Sequence, residues 1–177
     1  MQACRRDQAA SGYSRDVFLI MMLYRAAHQA DVQRQSLIDN GAPAGARFAN
    51  RLARSALSRL QKWLVVLPFK IEFPAAAHIG PGLALPHPHN IVLNSRVRIG
   101  ADCTLFHATT IGEALSNNGR ECPTLGDRVQ VGTGAIVVGP IVIGADSVVG
   151  AGAVVTKSVP AASVVVGHNR VLSGRAT

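Results

Sequence analysis

Aliphatic-glycine pairs punctuate the second half of this 177-residue chain: Ile79-Gly80, Ile99-Gly100, Ile111-Gly112, Leu125-Gly126, Val131-Gly132, Ile143-Gly144 and Val149-Gly150. Aliphatics stand at 79, 85, 91 and 97, and again at 125, 131, 137, 143, 149 and 155, a spacing of six. That period matches neither the 3.6-residue turn of an α-helix nor the two-residue alternation of a hairpin strand. It fits a chain wound into stacked coils, in which every sixth side chain points into one narrow core and glycine allows tight corners. The expected fold is mainly β, a parallel β-helix of hexapeptide repeats.

From 73 to 111 the expected frame is unbroken, with Phe73, Ile79, Leu85, Ile91, Val97, Cys103 and Thr109 in one series and Leu93, Ile99, Leu105 and Ile111 in another. The step from Ile111 to Leu125 is two residues longer than a multiple of six, and the polar, turn-rich stretch between them is expected to leave the coil as a loop over 113–122. Lys157-Ser158-Val159-Pro160 is read as the end of the regular repeat. Ahead of the hexads two helices are expected. One covers 14–31, with Ser14 as N-cap and the apolar run Val17 to Tyr24 largely buried. The other covers about 46–65, with Phe48, Leu52, Ala56, Leu60 and Trp63 on one side and Arg47, Arg51, Arg54 and Lys62 mostly on the other, packed on its apolar side and solvated on its basic one. The organisation is thus a small α-helical domain over 1–68, a β-helix over 69–170 and a tail over 171–177.

Residues 1–68 hold ten Lys and Arg against four Asp and Glu, so most of the net charge of +8 belongs to the helical segment. Its basic helix is suited to steering an anionic acceptor or to peripheral contact with a membrane surface. The longest apolar run is far shorter than the roughly 20 residues a membrane span needs. Aromatic residues make up 5% of the chain, too few for a stacking platform, and no nucleic-acid partner is expected. Cys4, Cys103 and Cys122 cannot all pair, and nothing at the start reads as a signal peptide, so the expected compartment is the reducing cytoplasm, with the inner face of the membrane as a further station.

Three stretches carry a family resemblance: Glu72-Phe73-Pro74-Ala75-Ala76-Ala77-His78-Ile79-Gly80, Leu85-Pro86-His87-Pro88-His89-Asn90-Ile91-Val92, and Gly150 through Pro160, with Met22 to His28 a weaker echo. They resemble the left-handed parallel β-helix acetyltransferases, in particular the serine acetyltransferases and the colanic-acid-type exopolysaccharide O-acetyltransferases. Handedness comes from this resemblance alone. It implies that His87 is the catalytic base, with Glu72, fifteen residues earlier, as its carboxylate partner. The chemistry asks for such a pair: a hydroxyl attacks poorly until an imidazole removes its proton, and a carboxylate fixes the tautomer and balances the imidazolium. Without the resemblance, His87 is simply a corner histidine between two prolines.

The same resemblance implies acetyl-CoA as co-substrate, held at Thr133 and Ala151 on stacked coils, at Thr156-Lys157, at Arg170, and by backbone at Gly112. Taken singly, Thr133 and Ala151 are equally well ordinary corner residues. His89 and His107, eighteen residues apart, are expected to stack on consecutive coils and, with Glu121 and Cys122, to face the acceptor. A zinc site of the β-helix carbonic anhydrase kind is a lesser alternative, and no metal is expected. Serine acetyltransferases carry an Asp before the catalytic His and an Arg-His pair before the loop proline, where this chain has Pro86, Glu121 and Cys122. An amino acid acceptor would lose charged partners worth about 1.5–3 kcal/mol each. The expected acceptor is therefore a sugar or polysaccharide-precursor hydroxyl, with serine as the alternative. A homotrimer or a dimer of trimers, with sites between protomers, is also expected, and His28 is placed near an acceptor cleft.

Overall fold

Three columns of aliphatic side chains run through the second part of the protein. Ile79, Ile99, Leu125, Ile143 and Val159 stack in one. Leu93, Ile111, Val137 and Val155 form the second, and Leu105, Val131, Val149 and Val165 the third. None is more than 3% exposed, and each such burial stabilises the fold by about 1.5–3 kcal/mol. The computed structural model describes residues 6–7, 15–116 and 119–172. Its backbone is a left-handed parallel β-helix with three faces. One is the sheet β1 (His78–Ile79), β3 (Arg98–Ile99), β8 (Thr124–Leu125) and β11 (Val142–Ile143). The second is β2 (Val92–Leu93), β5 (Thr110–Gly112), β10 (Ile136–Val138) and β13 (Val154–Val155). The third is β4 (Thr104–Leu105), β9 (Gln130–Val131), β12 (Val148–Val149) and β14 (Val164–Val166), with β15 (Arg170–Leu172) added antiparallel at its edge.

The glycine after each inward aliphatic has a steric cause. A Cβ on Gly100 would lie 2.6 Å from the Gly126 carbonyl carbon and 2.7 Å from the Asp127 nitrogen, and one on Gly126 would lie 2.7 Å from the Ala145 nitrogen. The next coil is too close for any side chain there. Gly112 is different, because a Cβ there would meet nothing within 4 Å.

The frame is not continuous from 73 to 111, as the sequence suggested. Glu72 lies opposite Val92, His78 opposite Arg98 and Ala84 opposite Thr104, so the first coil spans 20 residues and Glu72 sits below Val92 rather than Asn90. The two extra residues are taken up between Leu85 and Ile91, in the Pro86-His87-Pro88 segment. The two series expected over 73–111 are two inward positions of one hexad, and both are buried in every coil. At the second slip the chain leaves the prism as an antiparallel hairpin, β6 (Ala114–Ser116) against β7 (Gly119–Glu121).

The first coil presents unpaired carbonyls at the bottom of the prism, and α1 (Arg15–Asp39) lies across them. Tyr24 Oη donates to the Ala77 carbonyl at 2.7 Å, Arg25 donates to the Ile79 carbonyl and, at 2.6 Å, to that of Gly80, and His28 Nδ1 donates to the Ala75 carbonyl at 2.6 Å. Val17, Ile20, Met21, Leu23 and Tyr24 join the core of the coils, and burial pushes the Tyr24 hydroxyl up to about 12. Asp7 completes the cap, accepting from the backbone of Gly82 and Leu83 at 2.7 and 3.0 Å and pairing with Arg25. The Met22 to His28 segment thus caps the first coil, with His28 as one of the capping side chains. α1 also runs past its expected end at 31.

The second helix, α2 (Ala44–Gln61), continues through a π-helical turn at Lys62–Val66 and a last turn at Leu67–Phe69, ended by Lys70 in the left-handed region. The apolar side departs from the expectation. A polar strip faces inward, where Arg54 pairs with Asp31 at 2.5 Å, Asn50 donates to the Ala30 carbonyl and Gln61 to that of Phe73, while Arg47, Arg51 and Lys62 stay exposed as expected. The apolar side faces outward, with Phe48 59%, Leu52 56% and Trp63 72% exposed.

Candidate active site

The segment Leu85-Pro86-His87-Pro88-His89-Asn90 turns one corner of the prism with two prolines, which fix φ and cannot donate to a ladder, so the chain bulges there. The bulge is pinned at its far end: His89 N donates to the His87 carbonyl, Asn90 adopts φ 54°, and Asn90 N donates to the Phe69 carbonyl, each bond 2.8 Å. His87 is exposed at the crest. A fixed backbone with an exposed imidazole is a suitable mounting for a general base.

The corners above it stack in one edge. Ala108 N donates to the His89 carbonyl, Gly134 N to that of His107 and Gly152 N to that of Thr133, at 3.0, 3.0 and 2.8 Å. His89, His107, Thr133 and Ala151 thus follow one another up a single edge, between the β4-containing and β2-containing sheets. The backbone register expected for His89 and His107 is present, but their rings diverge. His107 meets His87, with ring centroids 5.8 Å apart and planes at 75°, while His89 lies against Phe69 at 5.6 Å. His107 Nδ1 is buried with no hydrogen-bond partner among the described residues. Among the described residues, no three His, Cys, Asp or Glu side chains converge as a metal site would require.

Glu72 is exposed on the first coil and shares no hydrogen bond with His87 among the described residues. It lines a 240 Å³ cleft with Lys62, Val66 and Pro74, walled by the end of α2. The aromatic neighbour of His87 is His107, a relation that the sequence hid because the two-residue slip was not seen.

A second edge flanks the other side of the β2–β5–β10–β13 face. It carries Asn94, Gly112, the hairpin and, after β13, Thr156-Lys157. Glu121 and Cys122 line a 400 Å³ cleft here with Arg96, Thr124 and Val142, so within one protomer they stand on a different edge from His87. Cys122 Sγ contacts Asn94 Oδ1 at 3.3 Å, and burial pushes its thiol up against the opposing pull of Arg96, which disfavours a thiolate nucleophile. Cys103 is inside the core, its thiol pushed up to about 11 by burial.

Thr156-Lys157 is organised by a residue that sequence reasoning missed. Asn169 Oδ1 accepts from the backbone N–H of Thr156 at 2.7 Å and of Lys157 at 3.2 Å, and its Nδ2 donates to Thr156 Oγ1 at 2.8 Å. Asn169 sits at φ 56°, a conformation asparagine tolerates, and that tolerance after Gly167 was the available signal. Arg170 is exposed at the start of β15. Added Cβ atoms at Gly112, Gly134 and Gly152 would meet nothing within 4 Å. Both edges therefore have backbone left open by side chains.

Residues 122–157 match the family described as bacterial transferase hexapeptide (six repeats). The putative colanic acid biosynthesis acetyltransferase WcaB of Escherichia coli (strain K12) is 33% identical over 162 residues, covering 92% of this chain and 93% of its own length. Serine acetyltransferase of Mycobacterium tuberculosis (strain ATCC 25618 / H37Rv) is 42% identical over 97 residues, 55% of this chain and 42% of the relative. That of Helicobacter pylori (strain ATCC 700392 / 26695) is 40% identical over 112 residues, 63% of each. The chain spans less than two thirds of these two serine acetyltransferases. Among solved structures, the soybean serine acetyltransferase apoenzyme superposes with a TM-score of 0.75 at 29% identity, covering 97% of this chain and 68% of that one. The Brucella abortus strain S19 enzyme in complex with coenzyme A gives 0.71 at 26% identity over 97% and 66%.

Proposed function

Because the chain belongs to the bacterial hexapeptide-repeat transferases, in the group that includes serine acetyltransferase and WcaB, we propose that it is an acetyl-CoA-dependent O-acetyltransferase acting on a hydroxyl of a sugar or polysaccharide precursor. The observation that carries this reading is the edge on which His87 stands exposed on a pinned bulge, with His107, Thr133 and Ala151 stacked above it. His87 takes the proton of the acceptor hydroxyl. The oxygen attacks the thioester carbonyl, and backbone N–H groups near Gly112 stabilise the oxyanion. The tetrahedral intermediate then collapses, and coenzyme A leaves as a thiolate that takes the proton back from the imidazolium. Neither a metal nor an acyl-enzyme enters the scheme.

Thr133, Ala151, Thr156, Lys157 and Arg170 hold acetyl-CoA in this proposal, with Asn169 as the residue that shapes the Thr156-Lys157 turn. His89, His107, Glu121 and Cys122 face the acceptor. Since Glu121 and Cys122 lie on a different edge from His87, a complete site calls for the hairpin edge of one protomer beside the histidine edge of its partner, which supports a trimer. Glu72 acts as the carboxylate partner of His87 once substrate and partner are in place. The enzyme works in the cytoplasm, at the inner face of the membrane where the acceptor is lipid-linked.

The sugar reading draws on Pro86, Glu121 and Cys122 in place of the charged residues that would hold an amino acid, and on the coverage of the WcaB relative at both ends. Serine O-acetylation is the second reading, favoured by solved neighbours such as the soybean enzyme complexed with serine. Release of free thiol from acetyl-CoA, measured against serine, sugar nucleotides and oligosaccharide repeat units, separates the two. Rapid release with serine alone would replace the sugar assignment, and no release with any hydroxyl acceptor would end the transferase reading.

A further inference from the structure

We infer that the outward face of α2 is a docking surface for an anionic lipid bilayer. From Ala44 to Ile71 the chain has no acidic residue, and Arg47, Arg51, Arg59, Lys62 and Lys70 are exposed along it while Arg54 turns inward to Asp31. Along the same helix and its last turns Phe48, Leu52, Leu60, Trp63, Leu64 and Leu67 are each at least 40% exposed. No residue of α2 is buried, and its inward contacts are polar ones, through Asn50, Arg54 and Gln61. From Phe48 to Leu67 this stripe is about 28 Å long at 1.5 Å per residue. Leucine and aromatic side chains on one side with cations beside them are what a helix lying in the plane of a bilayer presents. No helix among the described residues is long and apolar enough to cross a membrane, so the contact would be peripheral.

The charge selects this occupant over a second copy of the chain. Two such helices face to face would set cations against cations with no acid in either. Among the coil carboxylates, Asp102 and Asp146 are engaged by Arg6 and Arg128, Asp127 accepts from the Ala101 N–H, and Glu72 shares its cleft with Lys62 of the same chain. A lipid surface rich in phosphodiester headgroups offers both missing halves, negative charge and an apolar interior. The end of the same helix also walls the cleft of Glu72, through Lys62 and Val66. A bilayer at α2 would therefore bring lipid-linked acceptors next to the proposed site. The inference extends the proposed location but rests on no step of acetyl transfer.

Trp63 is the chain's single tryptophan, 72% exposed, and serves as the reporter. With the full chain and vesicles of phosphatidylcholine containing a third phosphatidylglycerol, Trp63 emission should shift to shorter wavelength and the protein should sediment with the vesicles. Pure phosphatidylcholine should bind at least tenfold more weakly. Arg47→Gln with Arg59→Gln should lower the partition coefficient about 25-fold, at roughly fivefold per cation. Phe48→Ser with Leu52→Ser should abolish the blue shift while leaving thiol release with a soluble acceptor unchanged. Equal binding to both vesicle types, or none, overturns the inference. So does a change of sedimentation coefficient in the Phe48→Ser, Leu52→Ser protein without vesicles, since that would identify the face as a contact between copies. Thiol release by the same preparations keeps the transferase reading separately testable.

Discussion

The coils and α2 solve the burial of apolar side chains in opposite ways. In the β-helix each inward aliphatic is covered by the coil above and below it, and the register that does so is fixed by backbone hydrogen bonds between consecutive coils, such as Gly100 N to the Leu125 carbonyl at 2.9 Å. In α2 an equally regular apolar stripe is turned outward, because Asn50, Arg54 and Gln61 on the other side find backbone or carboxylate partners in α1 and the first coil. A hexad carries its own partner, the next hexad. An amphipathic helix only declares that it needs one.

If the coils fix the edge of the proposed base as rigidly as this contrast implies, chemistry and stability should separate there. His87→Ala is expected to lower kcat/KM for acetyl transfer about 10³-fold, a change of about 4 kcal/mol in the barrier. The midpoint of thermal unfolding should stay near that of the unaltered protein, since the ring is exposed and the bulge is held by backbone bonds. A His87→Ala protein that keeps its activity would remove the imidazole from the mechanism.

The cap joins the two regions and should be as costly to alter as the core of the coils. Asp7 is fully buried and answers Arg25 as well as two backbone N–H groups. Asp7→Ala leaves these donors facing a void and should cost about 3 kcal/mol in denaturant unfolding. Asp7→Asn should cost less. Burial holds the Asp7 carboxyl above 3.8 despite Arg25, so the native state binds this proton more tightly than the unfolded chain. The stability it contributes is then full at acid pH and falls as pH rises through the interval above 3.8. The Asp7→Asn protein should lack that slope, and an unaltered slope would move its origin to other carboxylates.

Two glycines that look alike in sequence sharpen the frame argument further. Gly100 and Gly112 both follow an isoleucine, yet Gly100 lies under the Gly126-Asp127 backbone while Gly112 faces open space. Gly100→Ala should cost about 2 kcal/mol through displaced backbone, and Gly112→Ala within about 0.5 kcal/mol. Equal costs would mean that coil spacing is not what the glycine pattern serves.

The hexads made the fold legible because each repeats a local steric demand, and His87, Thr133 and Ala151 could be placed on the coils from spacing and resemblance together. The first slip was not legible: Phe73 to Thr109 keeps an apolar residue at every sixth position on either side of it, because both inward positions of the hexad are apolar, so two extra residues leave the pattern intact. That concealed the meeting of His87 with His107 and shifted Glu72 by two positions. Asn169 escaped for another reason, since its role depends on a left-handed turn and a contact thirteen residues back, neither of which has a period. The facing of α2 was unreadable in principle, because amphipathicity fixes the two sides of a helix and not which of them meets the rest of the chain.

The smallest expected effect tests that last point most directly. Were the stripe of α2 part of the core, replacing Leu52 and Trp63 by Ser would remove buried surface and cost several kcal/mol. With Leu52 56% and Trp63 72% exposed, each substitution should instead change unfolding free energy by less than about 0.5 kcal/mol. Leu105→Ala, whose side chain has no exposure and is covered by Val131, should cost about 3 kcal/mol in the same measurement. A large loss at Leu52 in dilute solution would show that the helix is covered after all, and the opposition between a self-sealing prism and an open helix would give way to a single continuous core.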